Sequence, residues 1–203
     1  MNAFLLGVVF GLTITISIGP GFMALFQTSL VNGLTSGIIL ASGMLLSDIA
    51  LVSISYLGLS EIILGWDDRI LGVIAGLVLI IMGGVSLFKP VVTSLDLKLD
   101  IGSQNNTGLI LAKGFLLNIA NPFSFIFWLG IVGFAAKNWG LHSQNVPQFF
   151  TGIFLTAFST DLLKCYLSGL LRKVLASHAI QWINKVMGII FIGVGLFIIY
   201  KVH

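Results

Sequence analysis

Two prolines interrupt long apolar runs in this chain, and each is followed downstream by an aspartate in apolar surroundings. Pro20 follows Gly19 in the first run and precedes Ser47-Asp48 in the second; Pro122 follows Asn121 in the fourth and precedes Thr160-Asp161 in the fifth. Proline lacks a backbone donor and clashes with the preceding turn, so it breaks or kinks a helix. In hydrocarbon, a freed backbone group or a carboxylate is tolerated only where protein or a water-filled cavity satisfies it. A doubled break with a doubled acid predicts a transport site near the bilayer midplane, built from two corresponding halves of one chain.

Composition supports the membrane premise. The 203 residues are 57% hydrophobic and only 8% charged, whereas a soluble domain is about a quarter charged. The apolar runs, such as 70–88 and 186–200, are continuous, unlike the alternating strands of a membrane β-barrel. The expected class is an all-α integral membrane protein, with 24 glycines suited to close helix packing in lipid. The net charge of +3 comes with no basic cluster interleaved with aromatics, so nucleic acid is not an expected partner. A single cysteine, Cys165, excludes an internal disulfide and a two-thiol redox pair and argues against a cysteine metal site. The start lacks a basic n-region and a small-residue cleavage site, so the run from Ala3 reads as a retained helix.

Six apolar segments are expected, at 3–26, 36–60, 69–88, 108–135, 147–171 and 182–201. Most reach the ~20 residues needed to span hydrocarbon. The polar stretch 89–107 reads as a linker between a first repeat, 1–88, and a second, 108–203. The two prolines and the two acids keep nearly the same separation, with the difference absorbed around 136–146. Gly83, Phe88 and Lys89 correspond to Gly195, Tyr200 and Lys201. Three spans per half is an odd number, so the second half should be inverted relative to the first. Loops 1–2, 3–4 and 5–6 carry or border Lys89, Lys98, Lys113, Lys164, Arg172, Lys173 and Lys185, against Arg69, Lys137 and Lys201 on the other side. The positive-inside rule then places both termini outside.

The breaks and acids supply the candidate site. Gly19 and Gly21 flank Pro20, which suits the first position of a half-helix whose free N–H groups and dipole attract an anion; the plainer reading is a proline kink. Asn118 and Asn121 lie three apart before Pro122, and Asn is a favoured N-cap; the plainer reading is interhelical hydrogen bonding. Asp48 sits near mid-span and needs a partner, a cavity or a proton. Asp161 has Lys164 one turn later, which either neutralises it or snorkels away. His142, His178 and His203 have no ligand-like spacing. Trp66, Trp128, Trp139 and Trp182 fall mostly near expected helix ends and suit an interfacial belt. No nucleophile–base pair, P-loop or dinucleotide fingerprint occurs, so neither an enzyme nor a resident cofactor or metal is expected.

At these residues the sequence resembles the LysE/RhtB-type amino-acid exporters. Gly19-Pro20-Gly21 with Ser29, Gly33, Gly37, Gly43 and Asp48 is similar to the family's first half, and Lys113-Gly114-Phe115-Leu116-Leu117-Asn118-Ile119-Ala120-Asn121-Pro122 to its second signature. The resemblance covers nearly the whole chain. It implies a secondary exporter of amino acids or related metabolites in a bacterial inner membrane, coupled to protons. It hands the candidate substrate site to Gly19, Pro20, Asn121, Pro122, Asp48 and Asp161, and the spacing argument adds Gly21 and Asn118. Asp48 and Asp161 are the proton-coupling candidates. Two alternatives stay open: a small-cation exporter with the acids as oxygen ligands, and a non-transporting scaffold subunit. A homodimer is compatible with the small-residue faces.

Overall fold

The computed structural model describes residues 2–15, 20–62, 106–171 and 177–202, with 69, 73, 76, 77, 80, 81, 83, 84 and 87 between them. Gly19 of the first break, nearly all of the 89–107 linker, Trp66, Arg172-Lys173 and His203 lie outside the described residues. Among the described residues every element is α-helical: α1 Ala3–Thr15, α2 Pro20–Asn32, α3 Leu34–Ile62, α4 Thr107–Ile119, α5 Pro122–Trp139, α6 Asn145–Leu171 and α7 Ser177–Val202. The nine described residues between 69 and 87 are helical as well.

Local chemistry accounts for the boundaries. Gly33, with φ of 88°, alone separates α2 from α3, and Gly140, with φ of 75°, ends α5; only glycine enters this left-handed region without penalty. The Gly140 N–H donates to the Ala136 carbonyl at 2.9 Å, closing that last turn. The sequence pattern had placed a longer connection before α3; the left-handed glycine makes one residue sufficient. Asn106 caps α4, its side-chain oxygen accepting from the Gly108 and Leu109 N–H groups at 3.0 and 3.3 Å. α4 ends at Ile119 and α5 starts at Pro122, with only Ala120 and Asn121 between them.

Among the described residues, one helix, Leu34–Gly58 within α3, is long and apolar enough on its own to cross a membrane. α1, α2 and α4 have 13 residues each, about 20 Å at 1.5 Å per residue, against a hydrocarbon thickness of about 30 Å.

Glycine crossings hold the helices together. A Cβ on Gly7 of α1 would strike the Phe149 carbonyl of α6, and one on Gly152 of α6 would strike the Phe4 carbonyl of α1. The same arrangement recurs between α3 and α4, where Gly43 abuts the Leu111 carbonyl and Gly114 the Leu40 carbonyl. Gly7 meets Phe149 and Gly152 while Gly11, one turn on, meets Ile153 and Thr156; Gly114 meets Leu40 while Asn118, one turn on, reaches Met44. Residue numbers thus rise together, so α1 runs parallel to α6 and α3 parallel to α4. α3 runs antiparallel to α6: Gly37 lies against the Cys165 Sγ, while Leu51 shares a core with Phe149 and Phe150. By the same logic α1 and α4 run in opposite directions. A third crossing pairs Gly76 with Gly195 and Gly83 with Gly188, antiparallel and at heptad spacing.

The main core is aromatic. Trp128, Phe149 and Phe150 are buried with Phe10, Phe134 and Phe154 packed on them; Phe10 meets Phe149 edge-on at 5.4 Å. A smaller cluster of Ala24, Leu25, Leu40, Ala41 and Cys165 joins α2, α3 and α6. The outer surface is apolar, with Leu57 72% and Tyr200 83% exposed, as a lipid-facing surface requires.

The Gly114 crossing is backbone against backbone, so no side chain can yield. Gly114→Ala is expected to cost about 1–3 kcal/mol, seen as a lower thermal midpoint of purified protein in detergent. Gly130→Ala is the control: nothing lies within 4 Å of that position, and its midpoint should hold or rise.

Candidate functional site

Asp48 occupies the middle of α3, where a carboxylate has no water to fall back on. Two side chains from the second half of the chain satisfy it. The Asn118 Nδ2 donates to Asp48 Oδ1 at 2.7 Å, and the Trp128 Nε1 donates to the same oxygen at 2.7 Å. The Asn118 amide is fully engaged: its Nδ2 also donates to the Met44 carbonyl at 3.1 Å, and its Oδ1 accepts from the Ser124 hydroxyl at 2.9 Å. Asn118 is placed for this because it ends α4, which runs beside α3 through the Gly43–Gly114 crossing.

Asp161 and Lys164 form the second polar group. Lys164 Nζ lies 2.8 Å from Asp161 Oδ1, with the two side chains 17% and 20% exposed. The lysine therefore pairs with the acid one turn away rather than snorkelling from it. Its ammonium also sits 5.6 Å from the Phe22 ring centroid, a cation–π distance. An ammonium has three donors, of which Asp161 takes one.

Both groups border one cavity of about 80 Å³, lined by Asp48, Asn118, Asn121, Ser124, Asp161 and Lys164, with Gly21, Phe22, Met44, Phe127 and Trp128 among its apolar walls. Gly21 belongs to the first turn of α2 and Ser124 to the first turn of α5. Two helix N-termini thus open on the cavity, and the first N–H groups of a helix have no partner within it. At α5 the Asn121 carbonyl accepts from the Phe125 N–H at 3.4 Å, the backbone role of an N-cap.

Of the residues singled out from sequence, Gly21, Asp48, Asn118, Asn121 and Asp161 meet at this cavity. Pro20 and Pro122 start α2 and α5, and Gly19 lies outside the described residues. Two hydrogen-bonding residues of the cavity, Trp128 and Ser124, are not expected there from sequence. Trp128 was assigned to an interfacial belt; it is instead 1% exposed, because its indole faces inward to Asp48. Ser124 was not singled out at all. The signal existed: Asn121, Ser124 and Trp128 follow i, i+3, i+7 spacing, one face of a helix. Trp139 does sit at a helix end, but it packs edge-on against Phe149 at 5.3 Å.

Removing the Asn118 amide takes one of two donors from Asp48 and the acceptor from the Ser124 hydroxyl. Asn118→Ala should lower stability by about 1–3 kcal/mol, read as a drop in thermal midpoint.

Comparison with known proteins followed the same outline. The family model described as "LysE type translocator" matches residues 12–202. The chain is 24% identical over 203 residues to the "Putative amino acid efflux protein YcgF" of Bacillus subtilis (strain 168), covering 99% of this chain and 97% of that protein. No solved structure matches significantly.

Proposed function

The chain belongs to the LysE type translocator family, and on that premise we propose that it exports amino acids or related small zwitterions, with protons as the coupling ion. Membership makes it a multi-pass membrane protein. The relative's name, an amino acid efflux protein, supports the cargo class.

The observation that carries the reading is the charge layout of one small cavity. Asp48 offers a carboxylate with one oxygen engaged by Asn118 and Trp128. Lys164 offers an ammonium, and the α2 and α5 N-termini offer positive dipole ends. A zwitterion has complementary ends: its ammonium goes to Asp48, its carboxylate to Lys164 and the helix N-termini. Burial of these groups in apolar walls raises the value of each contact. A proton and the substrate ammonium compete for Asp48, and that competition is the coupling.

Helix directions support an inverted-repeat architecture of six spans. α1 with α2 forms the first span and α4 with α5 the fourth, each too short alone; the first repeat covers 1–88 and the second 108–203. The antiparallel course of α1 and α4 favours inversion, as does the recurrence of one glycine crossing at α1–α6 and at α3–α4. The tightest packing joins helices from different halves. The units that rock are therefore α1 with α6 and α3 with α4, rather than the two sequence halves. Loop charges favour both termini on the extracytoplasmic side of a bacterial inner membrane.

Reconstitution into proteoliposomes, with a panel of amino acids and an imposed pH gradient, tests the reading. Asp48→Asn should insert normally and show efflux no greater than empty liposomes. Wild-type efflux from that variant would remove Asp48 from the mechanism. Lys164→Gln should weaken apparent affinity for the exported amino acid about tenfold, the worth of one charged hydrogen bond. If no amino acid moves and divalent cations raise the thermal midpoint instead, the cation-exporter reading takes its place.

A further inference from the structure

The hydrogen bonds at Asp48 straddle the joint between α4 and α5. Asn118 ends one arm of that joint, and Ser124 and Trp128 lie on the other. Both arms reach the same oxygen of the same carboxylate on α3, Asn118 at 2.7 Å and Trp128 at 2.7 Å. The Ser124 hydroxyl ties the arms directly by donating to Asn118 Oδ1 at 2.9 Å. Only Ala120 and Asn121 connect the arms through the backbone, so the elbow's angle is held by these side-chain bonds together with the packing of α5 in the core.

We propose that Asp48 is the latch of the α4–α5 elbow and that Trp128 is the positioning residue through which the elbow feels it. A buried indole N–H requires an acceptor, and here that acceptor is Oδ1 of Asp48, which holds it most strongly when the carboxylate is ionised. When a cation or a proton engages Asp48, the charge that holds the Trp128 N–H is neutralised and the bond weakens. Asn118 keeps its second anchor on the Met44 carbonyl at 3.1 Å, so α4 stays on α3. Trp128 has a single N–H, given to Asp48, and moves with α5. Its ring packs on Phe154 of α6 at 5.3 Å between centroids, which carries the movement to the helix bearing Asp161 and Lys164. These two are the other charged groups at the cavity. The consequence for transport rests on the exporter reading above; the latch itself does not.

The test is a distance measured across the elbow. Cys165 is the sole native cysteine and is replaced by alanine; spin labels are then placed at Leu116→Cys and Asn138→Cys, both exposed. Collinear arms would put them about 35 Å apart, within reach of electron–electron double resonance. Asp48→Asn, a shape-preserving mimic of the neutral acid, is expected to shift the mean distance. Trp128→Phe should shift it in the same direction, and the double variant should go no further than Trp128→Phe alone, since both act on one bond. Ser124→Ala, a milder change in the arm-to-arm tie, should broaden the distribution. An unchanged distribution in Asp48→Asn overturns the latch, as does additivity in the double variant. Were Trp128→Phe to unfold, the Asp48→Asn and Ser124→Ala distributions decide alone. Flux in liposomes separates the two readings: efflux with an inert elbow sinks only the latch, and a responsive elbow without efflux sinks only the exporter.

Discussion

Everything in this protein hangs on two places where helix backbones touch. At Gly7 and Gly152, and again at Gly43 and Gly114, carbonyl oxygens occupy the space where a Cβ would stand. In lipid there is no hydrophobic force to drive helices together, so association depends on dispersion at close range. Glycine maximises that range, and the approach is near enough for backbone Cα–H groups to meet carbonyls. Each crossing joins one helix from each half of the chain, and both described cores draw residues from the two halves. The first half acquires its core from α6, and the second half acquires its polar centre from α3.

The α3–α4 crossing has a chemical consequence. It brings Asn118 alongside Met44 and Asp48, so that the end of α4 becomes part of the environment of an acid seventy residues earlier. An unpartnered buried carboxylate is costly; here it draws its donors from a helix end and an indole. The break at Ala120 and Asn121 is what makes both donors available, since a continuous helix would carry the chain past α3. A broken helix and a buried acid are thus parts of one arrangement: each resolves the polar groups that the other leaves open.

Much of this was legible in the sequence. Apolar runs, the Pro20 and Pro122 breaks, and the acids at 48 and 161 follow from local chemistry that any membrane helix must obey. Asn118 was marked because amides before a proline suit a helix end. What misled was Trp128. A tryptophan in a membrane chain ordinarily seeks the interface, and nothing local says that an acid eighty residues away will meet its N–H. Lys164 was ambiguous for a similar reason: one turn from Asp161 it can pair or reach away, and the choice depends on Phe22 of α2 being there to cover it.

By itself, then, the sequence determined the element types, the places where helices stop and the kinds of charge buried between them, because these rest on φ/ψ limits, missing donors and the price of charge in hydrocarbon. Tertiary structure alone decided which helices pair, that the pairing crosses between halves, and which donors serve Asp48. Those outcomes depend on backbone contacts between residues far apart in the chain, and a glycine records only that a close approach is possible, not whose carbonyl will fill it.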